Sequence, residues 1–357
     1  MDHASGVTFG IEEEFVLLDP RTLTTRDVGL EAVEQLRGVG PGLVVREFFP
    51  SQIEYATPVC RTIGEALKDV AAFRRRLAEW ADAAGVVVAS TGSPFAASER
   101  APELHGRYAT IAHDIAGLTT EHQLNGLHVH VGIPDRDAGI RASNFLRPWL
   151  PVLLALAANS PFWHGQDTGF ASWRAIHSRR WTTHGIPPYF ADAAEHDEVR
   201  ARLVGVGATS DAGTINWHTR LSAAHPTLEV RVCDAQLDPH SSVALAALIR
   251  ALVVVGFDSD VPRPTRYEGW DAALWHAARH ATASTLVDPR TGQLVAAALA
   301  IDALHDLIRP RLGGDDDRVI AGFLADIAQG GGGAARQRRA HRKGRVVALY
   351  RDRLVAR

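Results

Sequence analysis

The chain has 357 residues, of which 46% are hydrophobic and 22% charged, and its formal net charge at pH 7 is −3. This composition is typical of a globular protein with a substantial core, and the charge gives no electrostatic reason to expect nucleic acid or an anionic membrane as a partner. Cys60 and Cys233 are too few for a disulfide framework, and the first ten residues lack the basic and apolar regions of a secretory signal. We therefore expect a cytoplasmic protein.

Residues 10–20, GIEEEFVLLDP, predict a β-strand that ends at the Asp-Pro pair. Side chains alternate between the faces of a strand, so Glu12 and Glu14 share one face, while Glu13 lies on the other face with the apolar residues. Two adjacent carboxylates repel each other, and a divalent cation such as Mg²⁺ or Mn²⁺ would relieve that repulsion. The alternative is an edge strand whose acidic residues deter aggregation. On the metal hypothesis, replacing Glu13 should be mild and replacing Glu12 severe.

The pattern of the remaining chain favours an α+β fold, because strands are concentrated before Cys233 and helices after it. We predict a single domain over residues 1–357, strand-rich in 1–233 and helix-rich in 234–357. Further strands are predicted at residues 51–57, 86–89, 127–132, 215–223 and 227–233. Helices are predicted at residues 62–84, 141–158, 241–257, 270–283, 296–307 and 315–327, with a final basic helix running to residue 357. The two most apolar stretches, 149–158 and 243–257, are interpreted as buried helices rather than membrane spans.

Several of these strands place charged or metal-binding residues on one face. Glu54 faces away from its apolar neighbours, His128 and His130 share a face, and Glu229 shares one with Arg231. Strict alternation would add Cys233 to the last pair. Any one of these pairs of residues could simply lie on a solvent-exposed face of its strand. If the strands form one antiparallel sheet, however, its open face would carry carboxylates, imidazoles and a guanidinium, which suits a polynuclear metal and phosphate site.

Other site chemistries lack their usual sequence marks. His-x-His on a strand can bind Zn²⁺, but the chain has neither His-Glu-x-x-His nor Cys-x-x-Cys. It also has no P-loop and no Gly-x-Ser-x-Gly elbow. Residues 159–188 are rich in Gly, Pro, Trp, His and Arg, which predicts an ordered loop over a site. The residues of this loop that could line a substrate pocket are Trp163, Trp173, Arg174, Arg179, Arg180 and Trp181. The alternative is that the tryptophans simply pack under a long loop.

Six blocks in order resemble a known family over essentially the whole chain. They are GIEEEF (10–15), SQIE (51–54), GLHVHVG (126–132), ANSPFW (158–163), DTGFASWR (167–174) and LEVRVCD (228–234). Together they are similar to the carboxylate–amine ligases of the glutamate–cysteine ligase 2 type. The resemblance implies a glutamine-synthetase-like α+β fold, in which a curved antiparallel β-sheet lines the active site and helices pack on its outer side.

The resemblance also implies an activity, which is ATP-dependent joining of a carboxylate to an amine with release of ADP and phosphate. Glutamate and cysteine are the substrates that the family name offers. The partners would be these small molecules, with no nucleic acid, no membrane and homodimerisation left open. Two rival hypotheses remain. One is a zinc-dependent hydrolase built on His128 and His130, and the other is a non-catalytic nucleotide-binding homologue.

The family motifs assign roles residue by residue. Two or more Mg²⁺ (or Mn²⁺) ions would bridge the phosphates of ATP. Arg231 would contact the transferring phosphoryl group, and it is a candidate catalytic residue together with Glu54. The expected metal ligands are Glu12, Glu14, Glu54, His128 and Glu229. The expected ATP- or substrate-binding residues are His130, Asn159, Arg174 and Arg231.

Overall fold

The computed structural model describes residues 4–97, 106–210, 212–265 and 268–356. Its main element is an antiparallel sheet of seven strands. The strands follow the order β2-β3-β1-β5-β9-β8, and β4 pairs with β1 beyond the end of β3. Their bounds are β1 Phe9–Leu18, β2 Leu43–Arg46, β3 Gln52–Ala56, β4 Val87–Ala89, β5 Gly126–Gly132, β8 Thr219–Leu221 and β9 Thr227–Asp234. Two small hairpins are formed by β6 Phe162–Trp163 with β7 Gln166–Asp167, and by β10 Thr285–Val287 with β11 Leu294–Ala296.

Helices pack on the face of the sheet that carries its apolar side chains, and some helices border the opposite face. Their bounds are α1 Gly29–Leu36, α2 Ile63–Ala84, α3 Arg107–Ile115, α4 Arg136–Leu146, α5 Leu150–Ala157, α6 Trp173–His177, α7 Ala193–Gly205, α8 Pro239–Phe257, α9 Trp270–His280, α10 Ala297–Ile308, α11 Gly314–Gly330, α12 Gly333–Arg342 and α13 Val346–Leu354. The central helix α8 packs against β5, α2, α4, α10 and α11. It is long and apolar enough to cross a membrane, but most of it is buried within the protein, as a core helix would be. The predicted α+β fold is confirmed.

The structure divides two helices that the sequence predicts as continuous. The predicted helix at 141–158 becomes α4 and α5, because Pro148 and Pro151 remove backbone donors and the intervening residues form a 3₁₀ turn. The final basic helix is interrupted at Gly344, whose φ of 61° is left-handed and ends α12. The start of α2 is as predicted, because Thr62 and Glu65 form a capping box.

The reverse face of β1 carries a buried ion pair. Glu13 is 1% exposed and accepts hydrogen bonds from the Nη2 and Nε atoms of Arg74 on α2, at 2.6 and 3.0 Å. Arg74 is itself fully buried and also donates to the carbonyls of Gln236 and Leu237. Glu13 therefore points away from Glu12 and Glu14, as alternation predicts. Its replacement cannot be mild, however, because it would leave a buried guanidinium without its counter-charge.

Candidate active site

The strand register aligns the polar side chains across one face of the sheet, called here the cavity face. Glu14 lies opposite Glu54 between β1 and β3, and Glu12 lies opposite His128 between β1 and β5. His130 lies opposite Glu229 between β5 and β9. Because the pairing is antiparallel, directly opposed residues point to the same face. These six side chains line one cavity of about 500 Å³, so the structure brings the predicted residues together.

A β-bulge in β9 changes which residues after Arg231 face the cavity. Val129 pairs with Val230 but Leu127 pairs with Cys233, so two residues of β9 stand opposite His128 alone. The extra residue shifts the alternation by one. Cys233 consequently lies in the hydrophobic core rather than beside Arg231, and Asp234 lies opposite Gly126. The grouping of Cys233 with Glu229 and Arg231 by strict alternation is wrong for this reason.

Three overlapping groups of side chains could each hold a cation. They are Glu12 with His130 and Glu229, Glu12 with Glu54 and His128, and Glu14 with Glu47 and Glu54. Within each group the ligand atoms lie within 4.8 Å of one another. Glu12 and Glu54 each belong to two groups. The arrangement therefore suits closely spaced ions that share carboxylate ligands.

The third group shows the electrostatic cost of bringing carboxylates together. Burial, and then the charge of Glu47, raises the pKa of Glu14 to about 8. Burial followed by the repulsion of neighbouring carboxylates, Glu12 first, raises the pKa of Glu54 well above its usual value. The pKa of Glu47 is raised as well, chiefly by burial. A raised pKa favours the protonated form of a carboxyl group, and a divalent cation would replace the proton.

The pKa of Glu12 is lowered rather than raised, because Glu12 lies between His128 and His130. Its Oε2 lies 3.1 Å from Nδ1 of His128, and its Oε1 lies 3.1 Å from Nε2 of His130. Although burial alone would raise the pKa of Glu12, its close contacts with His128 and His130 hold that pKa far below its usual range. Glu12 is therefore an ionised carboxylate at the centre of the cluster.

The donor set of these groups fits Mg²⁺ or Mn²⁺ better than Zn²⁺. Each group contains at least two carboxylates, and His128 and His130 fall in different groups. Hard oxygen ligands are those that Mg²⁺ and Mn²⁺ prefer, whereas zinc sites are rich in imidazole or thiolate. Among the described residues, the cavity face therefore does not gather the two histidines that the zinc hypothesis requires around one ion.

Glu229 differs from the other predicted metal ligands because both of its oxygens contact guanidinium groups. Oε2 accepts from Nε of Arg220 at 2.7 Å, and Oε1 contacts Nη1 of Arg231. Burial would raise the pKa of Glu229, but Arg231 and then Arg220 lower it overall. Two arginines thus share one carboxylate, which leaves a net positive charge beside the carboxylate cluster.

Arg174 reaches the cavity from α6 and lies over a glycine of β5. Its Nη2 donates to the carbonyl oxygen of Arg231 at 3.1 Å. A Cβ atom at Gly126 would stand 2.7 Å from Nη2 of Arg174 and 2.6 Å from Nε2 of His128. Gly126 also donates its backbone N–H to Glu14 Oε2 at 2.6 Å. The absence of a side chain at Gly126 therefore lets an arginine, a histidine and a carboxylate meet at one point.

We expect Gly126→Ala to impair the site more than the fold. The new methyl group would displace His128 and Arg174, both of which line the cavity. Activity should fall by about tenfold or more, since small misplacements of positioning groups are costly. Circular dichroism and turnover measure the two effects separately. Gly117→Ala is the control, because a Cβ at Gly117 meets no atom within 4 Å.

Asn159, predicted to bind ATP or substrate, lies outside the cavity. It is fully buried, and its Nδ2 donates to the carbonyls of Ser90 and Ala235 at 3.0 and 2.7 Å. Its Oδ1 accepts from Gln337 at 2.7 Å. The side chain is thus committed to joining three segments of the chain. The structure therefore gives Asn159 a packing role, which its local sequence does not distinguish from a binding role.

Comparison with known proteins decides the family. Residues 8–352 match the family model described as glutamate-cysteine ligase family 2. The chain belongs to this family. A protein of Salinispora arenicola named "Putative glutamate–cysteine ligase 2" is 39% identical over 341 residues, covering 94% of this chain and 90% of that protein. A Saccharopolyspora erythraea protein named "Putative glutamate–cysteine ligase 2-1" is 40% identical over 349 residues, covering 96% and 92%.

Solved structures confirm the predicted fold of this glutamate–cysteine ligase family 2 member. The glutamate–cysteine ligase of Francisella tularensis, solved in complex with AMP, superposes with a TM-score of 0.75 at 10% identity, covering 99% of this chain and 89% of that chain. A bifunctional glutathione synthetase from Pasteurella multocida gives a TM-score of 0.74 at 13% identity, covering 99% of this chain and 53% of that chain.

The segment at residues 159–188 contributes part of the cavity wall in this family member. Arg174 and Trp181 line the cavity as predicted. Arg179 and Arg180 pair instead with Asp271 and Glu121. The rings of Trp163 and Trp173 both contact the ring of His177 in tilted arrangements, so these two residues pack inside the protein, which was the alternative interpretation.

The cavity also contains residues that were not singled out from the sequence: Glu47, Tyr108, His122, Ser178, His184, His218 and Arg220. Glu47 follows the end of β2, where strand alternation no longer applies. His218 and Arg220 alternate across the start of β8 as Glu229 and Arg231 do on β9. Applying the period of two to residues 217–221 would have found them.

Proposed function

We propose that the protein is an ATP-dependent carboxylate–amine ligase that activates its substrate as an acyl phosphate. The observation that carries this proposal is the overlap of three cation-sized ligand groups on the cavity face, beside the guanidinium of Arg231. Membership of glutamate–cysteine ligase family 2 and the AMP complex of the Francisella tularensis enzyme support it. Glutamate and cysteine are the first substrates to test.

The proposed chemistry needs stabilisation of charge rather than a protein nucleophile. A carboxylate oxygen of the substrate attacks the γ-phosphorus of ATP, and ADP leaves. The amine then attacks the acyl carbon, expels phosphate and loses a proton. Mg²⁺ ions held by Glu12, Glu14, Glu47, Glu54, His128 and Glu229 would supply Lewis-acid stabilisation of the phosphate oxygens.

Different residues of the chain would contact the phosphoryl group and the cations. Arg231 stands between the carboxylate cluster and β8, where its guanidinium can meet an equatorial oxygen of the transferred phosphoryl group. Arg231 would then divide its hydrogen bonds between this oxygen and Glu229. Arg220 would remain paired with Glu229. Glu54 contributes a carboxylate to two of the three ligand groups. The reactants are a small-molecule carboxylate and amine, and neither nucleic acid nor a membrane is required.

Release of ADP tests the proposal. With Mg²⁺, ATP, glutamate and a panel of amines that includes cysteine, ADP should accumulate over repeated turnovers only when both a carboxylate and an amine are present. Mass spectrometry should find a product equal to their sum minus water. The ligase hypothesis would be contradicted if ADP formed without either substrate. It would also be contradicted if no ADP formed with any of the pooled amino acids and amines.

The same protein preparation separates the two rival hypotheses. A zinc hydrolase predicts stoichiometric zinc by metal analysis and hydrolysis that does not depend on ATP. A non-catalytic homologue predicts ATP binding by calorimetry without turnover.

The raised carboxyl pKa values predict a pH dependence of stability that Mg²⁺ should suppress. A carboxyl group whose folded pKa is raised stabilises the fold fully below its unfolded value of 4.5 and loses that contribution as the pH rises towards its folded value, about 8 for Glu14. Buried histidines with lowered pKa values act in the opposite direction, but mainly below pH 6.5.

In EDTA, the Tm should therefore fall between pH 6.5 and about 8, the range set by the ordinary histidine pKa and the raised pKa of Glu14. Millimolar Mg²⁺ should remove most of the fall, and Glu14→Gln should flatten the profile without Mg²⁺. Differential scanning calorimetry measures both effects. An identical pH profile with and without Mg²⁺ would mean that the carboxylates do not hold the ion.

A further inference from the structure

The β-bulge of β9 determines which way Asp234 points. Regular alternation would place Asp234 on the opposite face from Arg231, with the apolar residues of the strand. Because the bulge adds one residue, Asp234 instead stands opposite Gly126 and shares its face. A side chain at Gly126 would point towards Arg174 and His128. The extra residue therefore turns a carboxylate towards the side of the sheet where Arg174 lies.

Asp234 is fully buried, and both of its carboxylate oxygens accept hydrogen bonds. Oδ2 accepts from the backbone N–H of Asn159 at 2.8 Å and from the hydroxyl of Ser160 at 2.7 Å. Oδ1 accepts from the hydroxyl of Ser172 at 2.9 Å. All three donors belong to the segment at residues 159–188. The carboxylate thus joins β9 to two separate places in that segment.

The two serines extend this attachment to helix α6. Ser160 Oγ accepts from the backbone N–H of Arg174 at 3.1 Å. Ser172 is the N-cap of α6, and its Oγ accepts from the N–H of Ala175 at 3.2 Å. Since a hydroxyl has only one proton, its donation to the carboxylate leaves its lone pairs free to accept from the helix. Asp234 therefore determines the orientation of both hydroxyls, and through them the position of the start of α6.

The same carboxylate lies close to the guanidinium of Arg174. Nη1 of Arg174 is 3.9 Å from Oδ1 of Asp234, and Nη2 donates to the carbonyl of Arg231 at 3.1 Å. Burial raises the pKa of Asp234, and the charge of Arg174 is the first of the effects that oppose this rise. Asp234 thus holds the backbone of Arg174 through Ser160 and its guanidinium through opposite charge.

We propose that Asp234 is a positioning residue for the ligase reaction, which holds Arg174 in place beside His128 on the cavity face. This inference rests on the proposed function. Arg174 lines the cavity, where it can touch a substrate. Asp234 is fully buried, so it acts through Arg174. An arginine side chain has many rotatable bonds, and holding it in advance lowers the entropy that is lost when it binds.

Asp234→Asn would disturb this arrangement with almost no change in the size of the side chain. The NH2 group of the amide must face either Ser172, or Ser160 and the N–H of Asn159. At each place a donor would meet a group that already donates. The kcat/KM for ADP release should fall by about tenfold or more, because small misplacements of positioning groups are costly.

A double-mutant cycle shows whether Asp234 acts through Arg174. Arg174→Gln removes the guanidinium and should lower kcat/KM more than Asp234→Asn does. In the Arg174→Gln background, Asp234→Asn should then cause a further loss of less than about twofold. Full multiplication of the two losses would overturn the inference, because Asp234 would then affect turnover independently of Arg174. Wild-type kcat/KM in Asp234→Asn would overturn it as well.

Two further variants separate positioning from a general effect on folding. Asp316→Asn is the matched control, because Asp316 is 6% exposed and pairs with the fully buried Arg250 outside the cavity. It should lower the Tm and keep the wild-type kcat/KM at temperatures where the variant is folded. Ser172→Ala keeps the carboxylate, and it replaces Asp234→Asn in the cycle if that variant does not fold. Its smaller loss of kcat/KM should likewise vanish in the Arg174→Gln background.

The placement of Arg174 can also be followed without turnover, which separates this inference from the proposed function. In ¹⁵N-labelled protein, the side-chain N–H signal of Arg174 is identified by its absence from the spectrum of Arg174→Gln. The signal should move in Asp234→Asn and stay in place in Asp316→Asn. A signal that stays in place in Asp234→Asn would overturn the inference, even in an active ligase. If the signal moves but the wild-type protein makes no ADP, the ligase function fails alone.

Discussion

Glu12→Gln is expected to lower the rate of ADP release by at least about 10²–10³-fold, the range typical of removing a charge-stabilising group from an active site. Glu12 belongs to two of the three ligand groups and contacts both His128 and His130. The amide keeps the size of the side chain but removes the charge that a cation requires. Loss of this carboxylate therefore weakens two cation positions at once.

A matched control is available on the surface of α2. The side chain of Glu79 is 66% exposed and pairs with the similarly exposed Arg76, so Glu79→Gln should leave turnover unchanged. The rate loss in Glu12→Gln should be accompanied by a higher Mg²⁺ requirement and an unaltered circular dichroism spectrum. Near wild-type turnover in Glu12→Gln would show that the cation does not lie where the three groups overlap.

Glu13→Gln is expected to cost about 3–5 kcal/mol of unfolding free energy, the usual effect of removing one partner from a buried ion pair. Arg74 is fully buried, and Glu13 is its bidentate partner. The amide would leave the guanidinium with its carbonyl contacts to Gln236 and Leu237 but without a counter-charge. Urea denaturation measures the loss directly.

Glu12→Gln is the natural comparison for this measurement, because the two positions are adjacent on β1. The two variants should separate function from stability. Glu12→Gln should be inactive but stable, and Glu13→Gln should be strongly destabilised. An unfolding free energy for Glu13→Gln within about 0.5 kcal/mol of the wild type, the range of an ordinary surface substitution, would contradict the buried ion pair.

The period-two pattern was sufficient to predict the face of each functional side chain on regular strands. It placed Glu12, Glu14, Glu54, His128 and Glu229 towards one cavity, because sheet pairing requires that opposed residues share a face. The six sequence blocks predicted the family, which residues 8–352 confirm.

The pattern failed wherever the backbone departs from a regular strand or the contact is long-range. One extra residue in β9 reversed the facing of Cys233. Glu47 reaches the cluster from beyond the end of β2. Asn159 is held by residues near 90, 235 and 337, and no local pattern reveals such distant partners. The burial of Glu13 against Arg74 is equally invisible without the packing of α2 on the sheet.

Transfer of an oxygen label from the carboxylate to phosphate reveals whether an acyl phosphate forms. The carboxylate donor, labelled with ¹⁸O in both carboxyl oxygens, is incubated with Mg²⁺, ATP and the amine. Attack of the labelled carboxylate on the γ-phosphorus, followed by expulsion of phosphate by the amine, must leave one ¹⁸O atom in the inorganic phosphate and one in the amide. We expect mass spectrometry to find both labelled products. Label in AMP, or unlabelled phosphate formed together with the amide, would contradict it.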